Sequence, residues 1–153
     1  MRSLRLVDCI LADCDLSNAD LGAAELNRVV FERCRMTGLG AGGVQAENVV
    51  LRECSLELAN FRGAQLRGVS FEDCELDDAD FAAAALREVR FEHSRLRRVL
   101  VDGLRLTRVD FRGSTLEPDG DIAALRGAII DSLQLVELAP LLASGLGLVV
   151  RDG

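Results

Sequence analysis

From Leu6 to Leu116 every fifth residue is apolar, through twenty-three successive positions without an insertion. The beat is clearest between Cys54 and Phe91, where it falls on Leu56, Phe61, Leu66, Phe71, Leu76, Phe81, Leu86 and Phe91. Two residues before each beat sits a small or β-branched residue, in the order Cys54, Ala59, Ala64, Val69, then Cys74, Ala79, Ala84, Val89, so a period of twenty rides on the period of five. Neither period matches the 3.6 of a helix or the 2.0 of a strand. Self-similarity at a fixed period marks a stacked repeat, and four fives make one larger unit of it. The departures are Val101 and the pair Ala41 and Ala46, which lie in or beside the Gly-rich segment 38–47. At the two Ala sites the residue two before is larger, Leu39 and Val44. The interior volume is therefore roughly kept, and a local kink or soft spot is expected there.

The motif A-(D/N)-(L/F)-x-x, present as Ala19-Asp20-Leu21, Ala59-Asn60-Phe61 and Ala79-Asp80-Phe81, resembles the pentapeptide-repeat family. The resemblance implies an all-β fold, a right-handed quadrilateral β-helix in which each repeat forms one side, four form a coil, and the central Leu or Phe and the residue two before it point inward. Residues i and i+20 are then neighbours in adjacent coils, about 4.8 Å apart. The solenoid is expected over residues 1–116. A phase break follows at EPDGD, and a final partial coil over 117–130 resumes one residue early, as Ala123-x-Leu125 and Ala128-x-Ile130.

Residues 131–153 predict a C-terminal helical tail and a short strand. Asp131 or Ser132 can serve as N-cap, Gly145 or Gly147 as a stop, and Pro140 either kinks one helix or opens a second. Between Leu133 and Leu146 the only polar side chains are Gln134, Glu137 and Ser144, too few for a helix with one free face. One side is expected to cap the coil and the other to meet a second chain, through Leu135, Leu138, Leu142, Leu146, Leu148 and Val150. The tail also resembles the dimerisation segment of bacterial pentapeptide-repeat proteins that protect DNA gyrase from quinolones.

Composition narrows the chemistry. The 153 residues contain no Lys, one His and a net charge of −7, which removes lysine chemistry and disfavours nucleic acid or anionic membrane as a direct partner. No apolar run suggests a signal peptide or a membrane span, so a cytoplasmic location is expected. The charge is uneven: residues 1–82 hold 8 Arg and 15 acids, residues 83–114 hold 8 Arg and 4 acids. Cys14, Cys34, Cys54 and Cys74, spaced by twenty, would form a straight inward column, which cannot surround a tetrahedral metal and holds its Cβ atoms too far apart for a disulfide. Ser94 and Ser114 continue that column, so small volume is the requirement and no metal or cofactor is expected. His93, over Asp73, suits a surface ion pair better than a general base, since no nucleophile is placed beside it. No catalytic residue is expected, and the chain reads as a non-enzyme.

Two outward features remain. The acidic run Glu72, Asp73, Glu75, Asp77, Asp78 and Asp80 invites a DNA-mimic reading. Stacking in steps of twenty sets Asp13 and Glu53 on Arg33, Asp15 on Arg35, Glu75 on Arg95, Asp77 on Arg97, Asp78 on Arg98, Glu32 and Glu72 on Arg52, and Glu92 on Arg112, which cancels much of the field. Duplex DNA of this length carries roughly 15–18 charges, so a solvated, internally paired surface is the simpler reading. Ile10, Val30 and Val50 stack just before the beat and point outward, either favouring strand geometry or marking a contact strip. The function expected is a non-catalytic, dimeric protein-interaction module, in its most specific form a DNA-mimic modulator of a type II topoisomerase such as DNA gyrase. The alternative is a structural scaffold with no topoisomerase role.

Overall fold

The inward beat closes the chain into a right-handed, four-sided β-solenoid of about six coils with one helix at its C-terminal end. The computed structural model describes residues 4–153, so the first three residues of the expected solenoid lie outside it. The strands are β1 (Arg5–Ala12), β2 (Glu25–Glu32), β3 (Gln45–Arg52), β4 (Gln65–Arg67), β5 (Ser70–Glu72), β6 (Ala85–Glu92), β7 (Arg95–Leu100), β8 (Arg105–Asp110), β9 (Thr115–Asp119) and β10 (Ala128–Ile129). All pairings are parallel, and through β8 every partner lies twenty residues on, as in Leu6↔Leu26, Leu26↔Ala46 and Leu86↔Leu106. The four faces are named here first to fourth after the columns that begin at Leu6, Leu11, Leu16 and Leu21.

Turning the chain at four corners requires a left-handed residue at each. Two positions after the beat φ is positive from Asp8 to Gly113, for example at Asp13 (55°), Leu58 (61°), His93 (48°) and Arg98 (54°), with Gly at other corners. This third regularity is not visible as a residue type, because Asp, Asn, Arg, Glu, Ala, Leu, His and Gly all occupy it. Left-handed conformations cost non-glycine residues energy. The corners are held by rung-to-rung bonds such as Asp13 N to Glu32 O at 2.9 Å and Leu58 N to Asp77 O at 3.0 Å.

The core is the inward column set. Phe71, Phe91 and Phe111 stack with ring centroids 4.8 and 4.9 Å apart and nearly parallel planes, and Phe61 and Phe81 stack at 5.1 Å. The Gly-rich segment does not kink the solenoid. Gly38 and Gly43 are corner residues with φ of 69° and 68°, and the bridges Asp20↔Gly40↔Asn60 run through the segment in register. The small–large swap does not conserve volume either: Ala41, Val44 and Ala46 border an apolar internal cavity of about 30 Å³.

The phase is lost at Pro118. β7 and β9 pair at an offset of twenty up to Arg97↔Glu117 and of nineteen from Val99↔Pro118, and β10 keeps the new offset as Ala128↔Val109. The expected early resumption is therefore a one-residue bulge, followed by a 3-10 turn at Ile122–Leu125. A single helix, α1 (Ser132–Gly145), contains Pro140. Asp131 is its N-cap in a capping box with Gln134, and the chain leaves through Gly147 at φ 74°. The short strand expected after the helix does not form, because residues 148–153 find no strand partner in the chain. No helix of the described residues is long and apolar enough to cross a membrane.

Candidate functional site

The thiol column is an internal ladder. Cys34 and Cys54 Sγ each donate to a carbonyl 23 residues back at 3.4 Å, and Cys74 Sγ does so at 3.2 Å. Ser94 Oγ to Phe71 O at 3.3 Å and Ser114 Oγ to Phe91 O at 2.8 Å continue the pattern. The final rung is supplied by the helix: Gln134 Nε2 donates to Phe111 O, again 23 residues back, and to Ser114 O, both at 2.6 Å. The cysteines are free thiols, and the hydrogen bond with Cys54 together with burial pushes Cys74 well above the ordinary thiol range. Cys74 is therefore a poor nucleophile, while the same hydrogen bond lowers Cys54 to about 7 although that thiol too is buried.

The acidic run is largely taken up by arginine. Asp77, nine-tenths buried, accepts from Arg97 N at 3.2 Å and pairs with Arg95 Nε at 2.9 Å. Glu75 lies 3.7 Å from Arg95, Asp78 pairs with Arg98 at 2.8 Å, and Asp80 meets Arg62 at 3.5 Å while capping Ala82 N at 2.8 Å. Glu75 is pushed up from the usual carboxylate range by its hydrogen bond with Glu57 and by burial. Asp73 stays exposed at its corner, and among the described residues it forms no ion pair with His93. Four expected pairs are re-sorted: Arg97 engages Asp77 through its backbone, Arg112 turns from Glu92 to Asp110 at 2.7 Å, Arg33 reaches Asp13 and Glu32 but not Glu53, and Asp15 and Arg35 only share a bridge. The i+20 rule ignores neighbours nearer in the chain, such as Asp110 for Arg112 and Glu32 for Arg33. It also contained pairs not drawn above, Asp8–Arg28 and Glu88–Arg108.

Ile10, Val30 and Val50 do stack outward in register on the second face, ending at Ser70 and Arg90. Ile10 is 74% exposed, while Val30 and Val50 are half-buried. The strip lies on the first three coils and the acidic run on the fourth, so the two do not form one site.

The tail has two sides. Gln134, Leu138 and Leu142, four apart, share one helix face, and Leu138 is only 3% exposed, packed in the core with Leu142 half-buried against it. Leu138 and Leu142 therefore cap the chain's own coil, and do not belong to an outward surface as expected. Leu135, Leu146, Leu148 and Val150 are exposed, joined by Leu133, Val136, Leu141 and Val149, which the sequence reading had not included. Knowing that Gln134 faces inward is what divides the helix correctly.

Models of pentapeptide repeats match residues 5–39 and 44–118. The chain belongs to the pentapeptide-repeat family. No curated protein matches it in sequence. Among solved pentapeptide-repeat structures it is similar to a trypsin-treated form of QnrB1, a plasmid-mediated fluoroquinolone resistance protein, at 21% identity and a TM-score of 0.41, covering 97% of this chain and 98% of that one. It is also similar to HetL, involved in heterocyst differentiation regulation in the cyanobacterium Nostoc, at 18% identity, a TM-score of 0.48 and coverage of 86% and 70%. A pentapeptide-repeat protein of the Arabidopsis thaliana thylakoid lumen gives 21%, 0.35, and 83% and 75%. These likenesses concern the fold, and the functions named in them differ.

Proposed function

We propose that this pentapeptide-repeat protein is a non-catalytic, cytoplasmic interaction module that works as a homodimer joined through its C-terminal tail. The observation that carries the reading is the two-sided tail. One helix face completes the core through Gln134 and Leu138, and the opposite side leaves Leu133, Leu135, Val136 and Leu146 in water. An apolar patch of that kind is costly alone and suits a self-complementary contact. Within that class the specific function is modulation of a type II topoisomerase, DNA gyrase being the first to test. A scaffold with no topoisomerase role is the second reading, and the ion pairs along the coils favour it, because they cancel the field a DNA mimic needs. A gyrase supercoiling assay with and without a quinolone separates the two. Inhibition or protection at micromolar protein supports the first reading, and neither effect at that concentration overturns it.

A further inference from the structure

The two serines that end the inward thiol column bond into the coil more fully than the four cysteines before them. Ser94 Oγ and Ser114 Oγ donate to carbonyls and also accept from a backbone N–H one coil back, Cys74 N at 3.1 Å and Ser94 N at 3.0 Å. The sulfurs of Cys14, Cys34, Cys54 and Cys74 donate to carbonyls at 3.3, 3.4, 3.4 and 3.2 Å, and among the described residues no backbone N–H donates to any of them. Serine therefore fills the same small volume with more hydrogen bonds, and volume alone does not call for four thiols in succession. What a thiol adds is a soft lone pair for a metal ion.

Cys14 and Cys34 are the pair nearest solvent. They sit on adjacent rungs, flanked by the register pairs Ala12↔Glu32 and Asp15↔Arg35 and tied by Arg35 N to Cys14 O at 2.9 Å. Both line one open depression of about 510 Å³, with Cys14 half-buried and Cys34 buried. The charged part of its lining is close to balance, Asp13, Asp15 and Glu53 against Arg33 and Arg35, so it is the thiols that select an ion there. Among the described residues no three His, Cys, Asp or Glu side chains gather where they could hold one metal. A tetrahedral zinc or a many-coordinate calcium thus has no ligand set. A two-coordinate ion needs only two donors in line. Two thiolate–metal bonds of about 2.3 Å placed end to end span about 4.6 Å, close to the spacing of about 4.8 Å between hydrogen-bonded strands. Parallel side chains on adjacent rungs also set the metal–sulfur–carbon angle near perpendicular, as bonding through a sulfur lone pair requires.

We propose that Cys14 and Cys34 form a site for a soft monovalent cation, copper(I), held in line between their two sulfurs. On binding, each thiol releases its proton to solvent and each thiolate gives a lone pair to the metal, with no change of oxidation state. Cys54 and Cys74 continue the column beneath the pair and do not line the depression. The site is on the first two coils, at the opposite end from the tail, so it operates in a dimer or a monomer.

The test is an anaerobic titration of the reduced full-length protein with copper(I) buffered by bicinchoninate, read by thiolate-to-copper ultraviolet absorption and native mass spectrometry. One copper per chain, coordination by two sulfurs in X-ray absorption, and a melting midpoint that rises with copper are expected. Cys14→Ser with Cys34→Ser should melt like the unaltered protein in the absence of copper and lose all of these signals. Cys54→Ser with Cys74→Ser should keep them. If serine lowers the copper-free midpoint, Cys14→Ala with Cys34→Ala takes its place, alanine being the residue at the matching inward position of the fourth face, as at Ala59 and Ala79. No uptake against bicinchoninate, equal uptake by the variant at Cys14 and Cys34, or loss only in the variant at Cys54 and Cys74 overturns the proposal. Coordination by three or more ligands, or tighter binding of zinc(II) than of copper(I), overturns it as well.

Discussion

At the scale of single residues, Gln134 carries the most. Its Nε2 satisfies two buried carbonyls and its Oε1 accepts from Asp131 N at 3.0 Å, so one amide ends the ladder and starts the helix. Gln134→Ala should lower stability by about 1–3 kcal/mol, the cost of leaving buried carbonyls without a donor, read by urea denaturation; an unchanged midpoint would mean that water or a rearranged helix replaces it. In the column below, Cys54→Ser should be well tolerated, since Ser94 and Ser114 hold equivalent places, whereas Cys54→Leu should cost about 1–3 kcal/mol by overpacking. Equal melting curves for the two variants would show that the column does not select for volume. The cysteine column could be read from spacing alone because one residue type repeats. Gln134 could not: twenty past Ser114 lands on it, but the residue lost at Pro118 moves the count to Leu133, and only the structure decides between them.

At the scale of elements, the solenoid and its helix differ in how openly they are written. Each strand column repeats a type of residue every twenty positions, so its inward set is visible before any coordinates. The corners repeat a conformation instead, with positive φ at residues as different as Leu58, Asp73 and Arg98, and no side-chain pattern reports that. The Gly-rich stretch was misleading for the same reason. Gly38 and Gly43 meet the corner requirement, while its softness lies inside, at Ala41 and Ala46. Ala46→Val should fill the cavity and raise stability by up to about 0.7 kcal/mol, on the scale of 24 cal/mol per Å³; a loss would show that the surrounding Leu and Phe side chains cannot yield. The helix, apolar on nearly every side, gives no sequence signal of which side faces the coil. Its inward anchors, Gln134 and Leu138, are fixed only once the last coil is in place.

At the scale of the whole molecule, the surface is a set of short ion-pair ladders. The hydrogen bonds from Arg28, Arg33 and Arg98 hold Asp8, Asp13 and Asp78 below the usual carboxylate range. A carboxylate whose folded pKa is depressed adds stability above its unfolded value, about 3.9, and loses it as the pH falls through the folded value. The melting temperature should therefore decline once the pH drops below about 4, and less steeply at high salt, where exposed pairs are already screened. Glu75 runs the other way, because its raised pKa means that ionisation opposes folding. Glu75→Gln should hold or raise the melting temperature near neutral pH, and a marked drop would show that its contact with Arg95 outweighs its conflict with Glu57. The central claim is that the exposed side of the tail joins two chains, and sedimentation equilibrium on the full-length protein beside Val136→Glu with Leu146→Glu tests it most directly. The account predicts twice the 16.6 kDa chain mass for the unaltered protein and 16.6 kDa for the variant, both with native melting curves. A monomer at every concentration, or a variant that remains a dimer, would contradict it.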